Sequence, residues 1–412
     1  MENPKLSNRR IKVLFVIGAL TTGGTERQMI GILNQLDRQK FQPFLFTFYS
    51  HGELVDQIPE DVTHYCDQRQ NSKQPRRWLP GGIQSHLTAS LSAYCQHQQI
   101  DVVYDRTFHV SLVTGAACRI SKTPYLNTIV ANPFQAFYAT AGIFGRIKYW
   151  RLRKIYRHAA AVLCVSDGIV DAAAKFYRLP NSTFVSCPNF IDQQRLTQID
   201  LAARQRQSPA EADLCQHDQR QTAADTNCLK VIAVGRLHHD KGLDVLLQSV
   251  QYLVHQQQLN IQLTLVGDGP ERHNLEAITV DFSIQSHVQF VGWVANPAPW
   301  VARSDLFVLS SRSEGMPNSL LEAMFLGTPA IATDCPFGPA EITEGGTLAS
   351  LIPIEDATSL SNAIVEFVQN PTAWTERAVR AGPILRAKYA AQAGIQRLES
   401  CLSEAAVKQK PQ

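Results

Sequence analysis

Glu314-Gly315-Met316-Pro317-Asn318-Ser319-Leu320-Leu321-Glu322-Ala323 sets two carboxylates eight residues apart, across a loop that runs into a helix. Pro317 suits a first helical turn because its missing N–H would go unpaired there, and Gly327-Thr328-Pro329 supplies a stop followed by a breaker. The helix is therefore expected to begin near Asn318, where free backbone N–H groups and the positive end of the dipole favour an anion. Were the whole span helical, eight residues would rise about 12 Å, too far for two carboxylates to work on one bond. The pair suits opposite ends of one long ligand instead, with hydroxyls at each end and a diphosphate between. A nucleotide-sugar has that shape. An amphipathic helix with two solvated acids satisfies the same spacing, so other segments must decide.

Gly235-Arg236-Leu237-His238-His239-Asp240-Lys241-Gly242 follows the apolar run Val231-Ile232-Ala233-Val234, which places Arg236 and Lys241 at the carboxyl end of a strand. A rigid guanidinium fork and a compact ammonium together can neutralise a departing diphosphate. In isolation the two would read as surface charges; beside Glu314 and Glu322 they read as a site. Gly18-Ala19-Leu20-Thr21-Thr22-Gly23-Gly24-Thr25 is neither a dinucleotide fingerprint nor a P-loop, since no Lys follows the glycines. It permits either a tight turn or close approach of Gly23 and Gly24 to a ligand at a helix start. Gly267-Asp268-Gly269-Pro270 is a similar turn after Leu263-Thr264-Leu265-Val266. His109, in Tyr104-Asp105-Arg106-Thr107-Phe108-His109, lies just past a strand and is a candidate substrate contact or a packing residue. No nucleophile-and-base constellation can be defended from spacing, and His238-His239-Asp240 are neighbours that seldom converge on one metal ion.

These groups need strands to present them. Ile11–Ile17, Phe44–Tyr49, Asp101–Tyr104 and Val162–Val165 read as strands, with helices over Glu26–Leu36, Gln84–Gln96 and Asp167–Phe176. A second series covers Lys230–Val234, Leu243–Val250, Gln262–Val266, Val288–Val291, Leu306–Ser310 and Ala330–Thr333. Such alternation implies an α/β chain with two doubly wound parallel sheets and a ligand cleft at the strands' carboxyl ends. The expected division is 1–195, a Gln- and Ala-rich linker or insertion at 196–229, 230–372, and a helical tail at 373–412. With 412 residues, 44% hydrophobic and 18% charged, neither domain lacks core material. A net charge of +3 is well short of a dedicated nucleic-acid binder. Nine scattered cysteines with no Cys-x-x-Cys pair suit reduced thiols, hence a cytoplasmic chain, and no apolar run is long enough to span a bilayer. Residues 144–157 combine cations and aromatics with no acid, which suits an anionic membrane surface or a solvated helix; Arg69, Lys73, Arg76, Arg77 and Trp78 could extend that face.

Gly23-Gly24, Pro188-Asn189-Phe190-Ile191-Asp192, Gly235-Arg236 with Lys241-Gly242, Gly267-Asp268-Gly269-Pro270 and Glu314 to Glu322, in that order, resemble the retaining GT-B glycosyltransferases of family 4. The resemblance implies two Rossmann-like domains, a donor nucleotide-sugar held mainly by the second, and a glycan or lipid-linked acceptor held by the first. It implies that Arg236 and Lys241 bind the diphosphate, approached by Gly23-Gly24, that Glu314 contacts the transferred sugar and that Glu322 holds the ribose. Backbone N–H groups of Asn318 and Ser319 would meet the phosphates; Gly267, Gly269, Gly315, Met316 and Leu320 complete the donor set. Front-face transfer, with leaving-group oxygen deprotonating the acceptor, would need no protein base, metal ion or cofactor. Members often carry a Thr-x-His, for which Asn127-Thr128-Ile129-Val130-Ala131-Asn132-Pro133 has no His, leaving His109 or Asn132 as substitutes. Asp334 to Ile342 is similar to members that use UDP-linked hexoses or N-acetylhexosamines. The expected role is polysaccharide assembly, on or near the inner face of a membrane. A sugar-nucleotide epimerase on the same fold and an inactive glycan-binding relative are the rivals.

Overall fold

A computed structural model describes residues 9–21, 23–70, 81–140, 142–191, 196 and 228–407. Thr22, Lys73, Arg76, Arg77, Trp78, Asp192, the 197–227 part of the linker expectation, residues 408–412 of the expected tail and the Arg69 side chain lie outside what it describes. The chain forms two compact units, residues 1–190 with 391–412, and residues 191–390.

The first unit holds strands β1 (Ile11–Ile17), β2 (Phe41–Thr47), β3 (Thr63–Cys66), β4 (Val102–Asp105), β5 (Tyr125–Ile129), β6 (Ala161–Cys164) and β7 (Phe184–Ser186). They form one parallel sheet in the order β3-β2-β1-β4-β5-β6-β7. Chain direction through the sheet reverses between β1 and β4, so the loops after these two strands diverge and leave room for a ligand beyond their carboxyl ends. The second unit repeats the arrangement with β8 (Leu229–Val234), β9 (Ile261–Val266), β10 (Val288–Gly292), β11 (Leu306–Leu309), β12 (Ala330–Thr333) and β13 (Ser350–Ile352), ordered β10-β9-β8-β11-β12-β13 and again parallel. Its reversal lies between β8 and β11. Both central strands are apolar on two faces, as sheets covered by helices on both sides require: Val231, Ile232, Leu306, Phe307 and Val308 are all buried.

The expected tail divides in two. The helix Pro371–Lys388 belongs to the second unit, whereas Ala391–Val407 belongs to the first. The cause is its apolar stripe: Ile395, Leu398 and Leu402 join Phe15, Leu33 and Tyr104 in one core cluster. The short strands β3, β5, β7 and β13, each of three to five residues, are not among the strands expected from the sequence.

Close backbone packing explains the second unit's glycines. Gly267 has φ +136°, and a β-carbon there would sit 1.9 Å from the Gly235 carbonyl oxygen; one on Gly269 would sit 2.3 Å from that of Leu237. The Leu237 N–H donates to the Asp268 carbonyl at 3.0 Å, and the Gly267 N–H to that of Gly292 at 2.8 Å. The Gly-Asp-Gly-Pro turn is thus a backing plate for the loop after β8. Gly267→Ala is expected to destabilise the protein by about 3 kcal/mol or more, since both the conformation and the space forbid a side chain. Chemical denaturation with a midpoint unchanged from wild type would contradict this packing.

Candidate active site

The loop after β8 and the loop after β11 meet beyond the reversal in the second unit. Lys241 Nζ donates to Glu314 Oε1 at 2.6 Å, and Ser311 Oγ donates to the same oxygen at 2.6 Å. Glu314 is 9% exposed, and its other oxygen receives no hydrogen bond among the described residues. Burying a carboxylate requires a cation and donors close by, and this pair supplies both. Gly242, at φ +59°, lies so near β11 that a β-carbon would fall 2.1 Å from the Ser310 carbonyl oxygen, while Ser310 Oγ donates to the Lys241 carbonyl. The Lys241 backbone is therefore held against β11, while its partly exposed ammonium is drawn to Glu314 by charge. Arg236 stands exposed at the mouth of the same loop and, among the described residues, has no carboxylate partner.

Beyond Glu314, residues 315–317 are buried and the helix Asn318–Phe325 starts where expected, with Pro317 at its N-cap offering no side-chain cap. Gly338 holds this approach: at φ +85° its missing side chain leaves room for Pro317 Cδ and the Gly315 carbonyl oxygen. The helix ends at the anticipated stop, with Gly327 at φ +77° donating to the Met324 carbonyl. Since only residues from Asn318 onward are helical, Glu314 sits on the loop and Glu322, half-buried, on the helix. Met316 and Leu320 are buried packing residues here, and Ser319 is half-buried at the helix start. Cys335 lies close by; desolvation first and the charge on Glu314 second push its thiol up to about 12, so it remains protonated.

Arg312 was not anticipated. Its guanidinium donates to both oxygens of Asp244 at 2.8 and 2.7 Å, to the His239 carbonyl at 2.7 Å and to Glu355, while its backbone N–H reaches the Asp240 carbonyl. One side chain thereby ties the β8 loop, the following helix Leu243–His255 and the segment after β13 to the loop that carries Glu314. These bonds raise the Arg312 pKa further; at Asp244, burial pushes upward but the Arg312 fork outweighs it and the net shift is downward. The only signal in sequence was a cation two residues before Glu314.

The first unit presents its own candidates at its own reversal. Gly23 precedes the helix Gly24–Gln35, and a β-carbon on Gly23 would come within 2.3 Å of the Glu26 carboxylate. Gly52, at φ +139°, braces this loop from behind; a β-carbon there would sit 2.1 Å from the Leu20 carbonyl oxygen. His109 is in the first turn of the helix Phe108–Ser121, exposed and stacked on Phe108; desolvation first and Lys148 second lower its pKa. Asn132 caps the helix Pro133–Thr140, its Oδ1 accepting from the Phe134 N–H at 3.0 Å. Asp105 is fully buried at the end of β4, accepting from Ser111 Oγ at 2.8 Å and Asn127 Nδ2 at 2.7 Å, so it anchors the corner that carries His109. Its desolvation exceeds the pull of these donors and pushes the carboxyl up to about 7.

Among the described residues no cluster of His, Cys, Asp and Glu is placed to hold a metal ion.

Two outcomes follow. Arg312→Lys keeps the charge and loses the fork, and with partly exposed partners it is expected to cost about 1–2 kcal/mol of stability, more than half the loss in Arg312→Ala; equal stability of Lys and wild type in thermal melts would remove the clamp. For Asp105, the folded pKa lies above the unfolded value, so its contribution is complete in acid and fades as pH rises from about 4 through about 7. Stability of wild type relative to Asp105→Asn should therefore fall by roughly 1 kcal/mol per pH unit over that window and level off above it. A parallel pair of curves would exclude the raised pKa.

Comparison with known proteins matches residues 22–195 to the model described as Glycosyltransferase Family 4 and residues 228–370 to that described as Glycosyl transferases group 1. The chain is 27% identical over 238 residues to the lipopolysaccharide core biosynthesis glycosyltransferase LpsE of Rhizobium meliloti, covering 58% of this chain and 62% of that protein. It is 32% identical over 192 residues to LpsD of the same organism, covering 46% and 52%. The chain thus spans about half to three fifths of the length of these curated relatives. The solved structure of Anabaena HepE in complex with UDP and glucose superposes with a TM-score of 0.76 at 20% identity, over 96% of this chain and 100% of that one. With two parallel sheets ordered alike and family models that together match well over half its length, this chain belongs to the group 1 glycosyl transferases and carries their GT-B fold.

Proposed function

We propose that the chain transfers one sugar, with retention, from a UDP-linked hexose or N-acetylhexosamine to a glycan or lipid-linked acceptor in cytoplasmic polysaccharide or lipopolysaccharide assembly. The observation that carries this reading is the Lys241–Glu314 pair at the reversal of the second sheet, with Arg236 exposed beside it. A diphosphate there would draw Lys241 and Arg236 to its oxygens, and the free oxygen of Glu314 would accept from a sugar hydroxyl. The N-terminal turn of Asn318–Phe325 would present backbone N–H groups, those of Asn318 and Ser319, to the same phosphates. As the sugar–phosphate bond breaks, negative charge grows on the leaving oxygen, and the two cations stabilise it; removing one such contact commonly costs a few kcal/mol of barrier. That oxygen then takes the acceptor's proton on the face it leaves, which gives retention without a protein base or metal ion. Glu322 would fix the ribose. LpsE and LpsD, named for lipopolysaccharide core biosynthesis, support the acceptor class, and HepE, solved with UDP and glucose, supports the nucleotide.

Thermal shift with UDP, GDP and ADP in parallel tests the donor. UDP alone is expected to stabilise the protein, by about 2.7 kcal/mol at a hundredfold excess over Kd, and Glu322→Ala to abolish the effect. With UDP-sugar and acceptor, Arg236→Ala should lower kcat about 100-fold or more, and NMR of the product should show the donor's anomeric configuration. UDP-sugar consumption without acceptor would replace transfer by epimerisation. Binding without any turnover would leave a glycan-binding relative.

A further inference from the structure

The helix Gly145–His158 in the first unit has one buried face, Leu152, Ile155 and Tyr156. At 100° per residue the opposite line runs through Ile147, Trp150, Lys154 and Arg157, and all four are exposed. The stripe is therefore divided along its length, apolar in its first turns and cationic in its last. Ile147 is 58% exposed, Trp150 59% and the preceding Phe144 50%; Tyr138, on the neighbouring helix, is 72% exposed. Beneath them Phe137, Tyr149, Phe176 and Tyr177 form a contiguous ring cluster, and Arg153 donates to the Tyr177 and Arg178 carbonyls. The exposed rings thus stand on a rigid base. No aspartate or glutamate occurs between Asp105 and Asp167, where nine lysines and arginines do.

We propose that this face seats the chain on an anionic lipid bilayer, with Phe144, Ile147 and Trp150 entering the headgroup–acyl boundary and Arg146, Lys154 and Arg157 meeting lipid phosphates. Scattered exposed apolar side chains are ordinary, but three at helical spacing, edged only by cations, match an amphipathic interfacial element. A soluble polyanion would use the cations and gain nothing from the apolar three. A second copy of the chain would bring cation against cation, which opposes pairing through this face. This face lies wholly within the first unit, and lipid seating does not require sugar transfer.

Sedimentation of the full chain with vesicles tests it. Phosphatidylcholine vesicles containing phosphatidylglycerol should carry the protein down at low salt, pure phosphatidylcholine should not, and high salt should release it. Phe144→Ser, Ile147→Ser and Trp150→Ser combined, and separately Arg146→Gln, Lys154→Gln and Arg157→Gln combined, should each weaken partitioning about tenfold or more. The apolar variant should keep wild-type affinity for soluble dextran sulfate, which separates lipid insertion from charge alone, and both variants should keep the wild-type circular dichroism spectrum and melting midpoint. Failure of wild type to sediment with the anionic vesicles, or unchanged partitioning of the apolar variant, would overturn the proposal.

Discussion

Parallel strands ending side by side deliver their loops to the same place, but nothing in a sheet ladder fixes the distance between those loops. In the second unit the Arg312 guanidinium supplies that constraint, because a planar fork can be satisfied by two carboxylates and a carbonyl only in one geometry. With the β8 and β11 loops so joined, Lys241 and Glu314 meet at hydrogen-bond distance instead of facing water separately. The pair is only partly buried on the lysine side, so the ammonium stays open to solvent while the carboxylate does not. The clamp bears the cost of order, and the site groups keep their freedom.

The glycines serve the same end by a different route. At Gly242, Gly267, Gly269 and Gly338 the neighbouring backbone or ring comes within 3 Å of where a side chain would begin. Each glycine substitutes main-chain proximity for side-chain packing, bringing N–H groups and carbonyls near enough to bond loop to loop. Backbone contacts of this kind fluctuate less than long side chains, so the loops they join keep a fixed spacing.

The sequence disclosed the α/β architecture and the central strands because β1, β8, β9 and β12 are apolar runs followed at once by turn residues. It also disclosed the start of Asn318–Phe325, where Pro317 and the Gly327 stop are local signals. Arg312 was opaque for a physical reason: its partners lie 43 to 73 residues away, and a surface arginine and a clamping arginine look alike until the chain is folded. Asp105 was opaque for a related one, since its role depends on Ser111 and Asn127 closing around it. Ala391–Val407 read correctly as a helix, yet no pattern in its residues says which sheet it covers.

That last helix alters how the chain must be made. The first unit's core is completed by Ile395, Leu398 and Leu402, residues that leave the ribosome only after all of the second unit has been synthesised. Each such side chain contributes about 2 kcal/mol of burial, so the nascent first unit waits with an apolar trough open along β1 and β4 while roughly half the polypeptide is still to come. The second unit, continuous in sequence, can settle first. The first unit's core is thus closed by the last helix to be synthesised, with the whole second unit between its two parts.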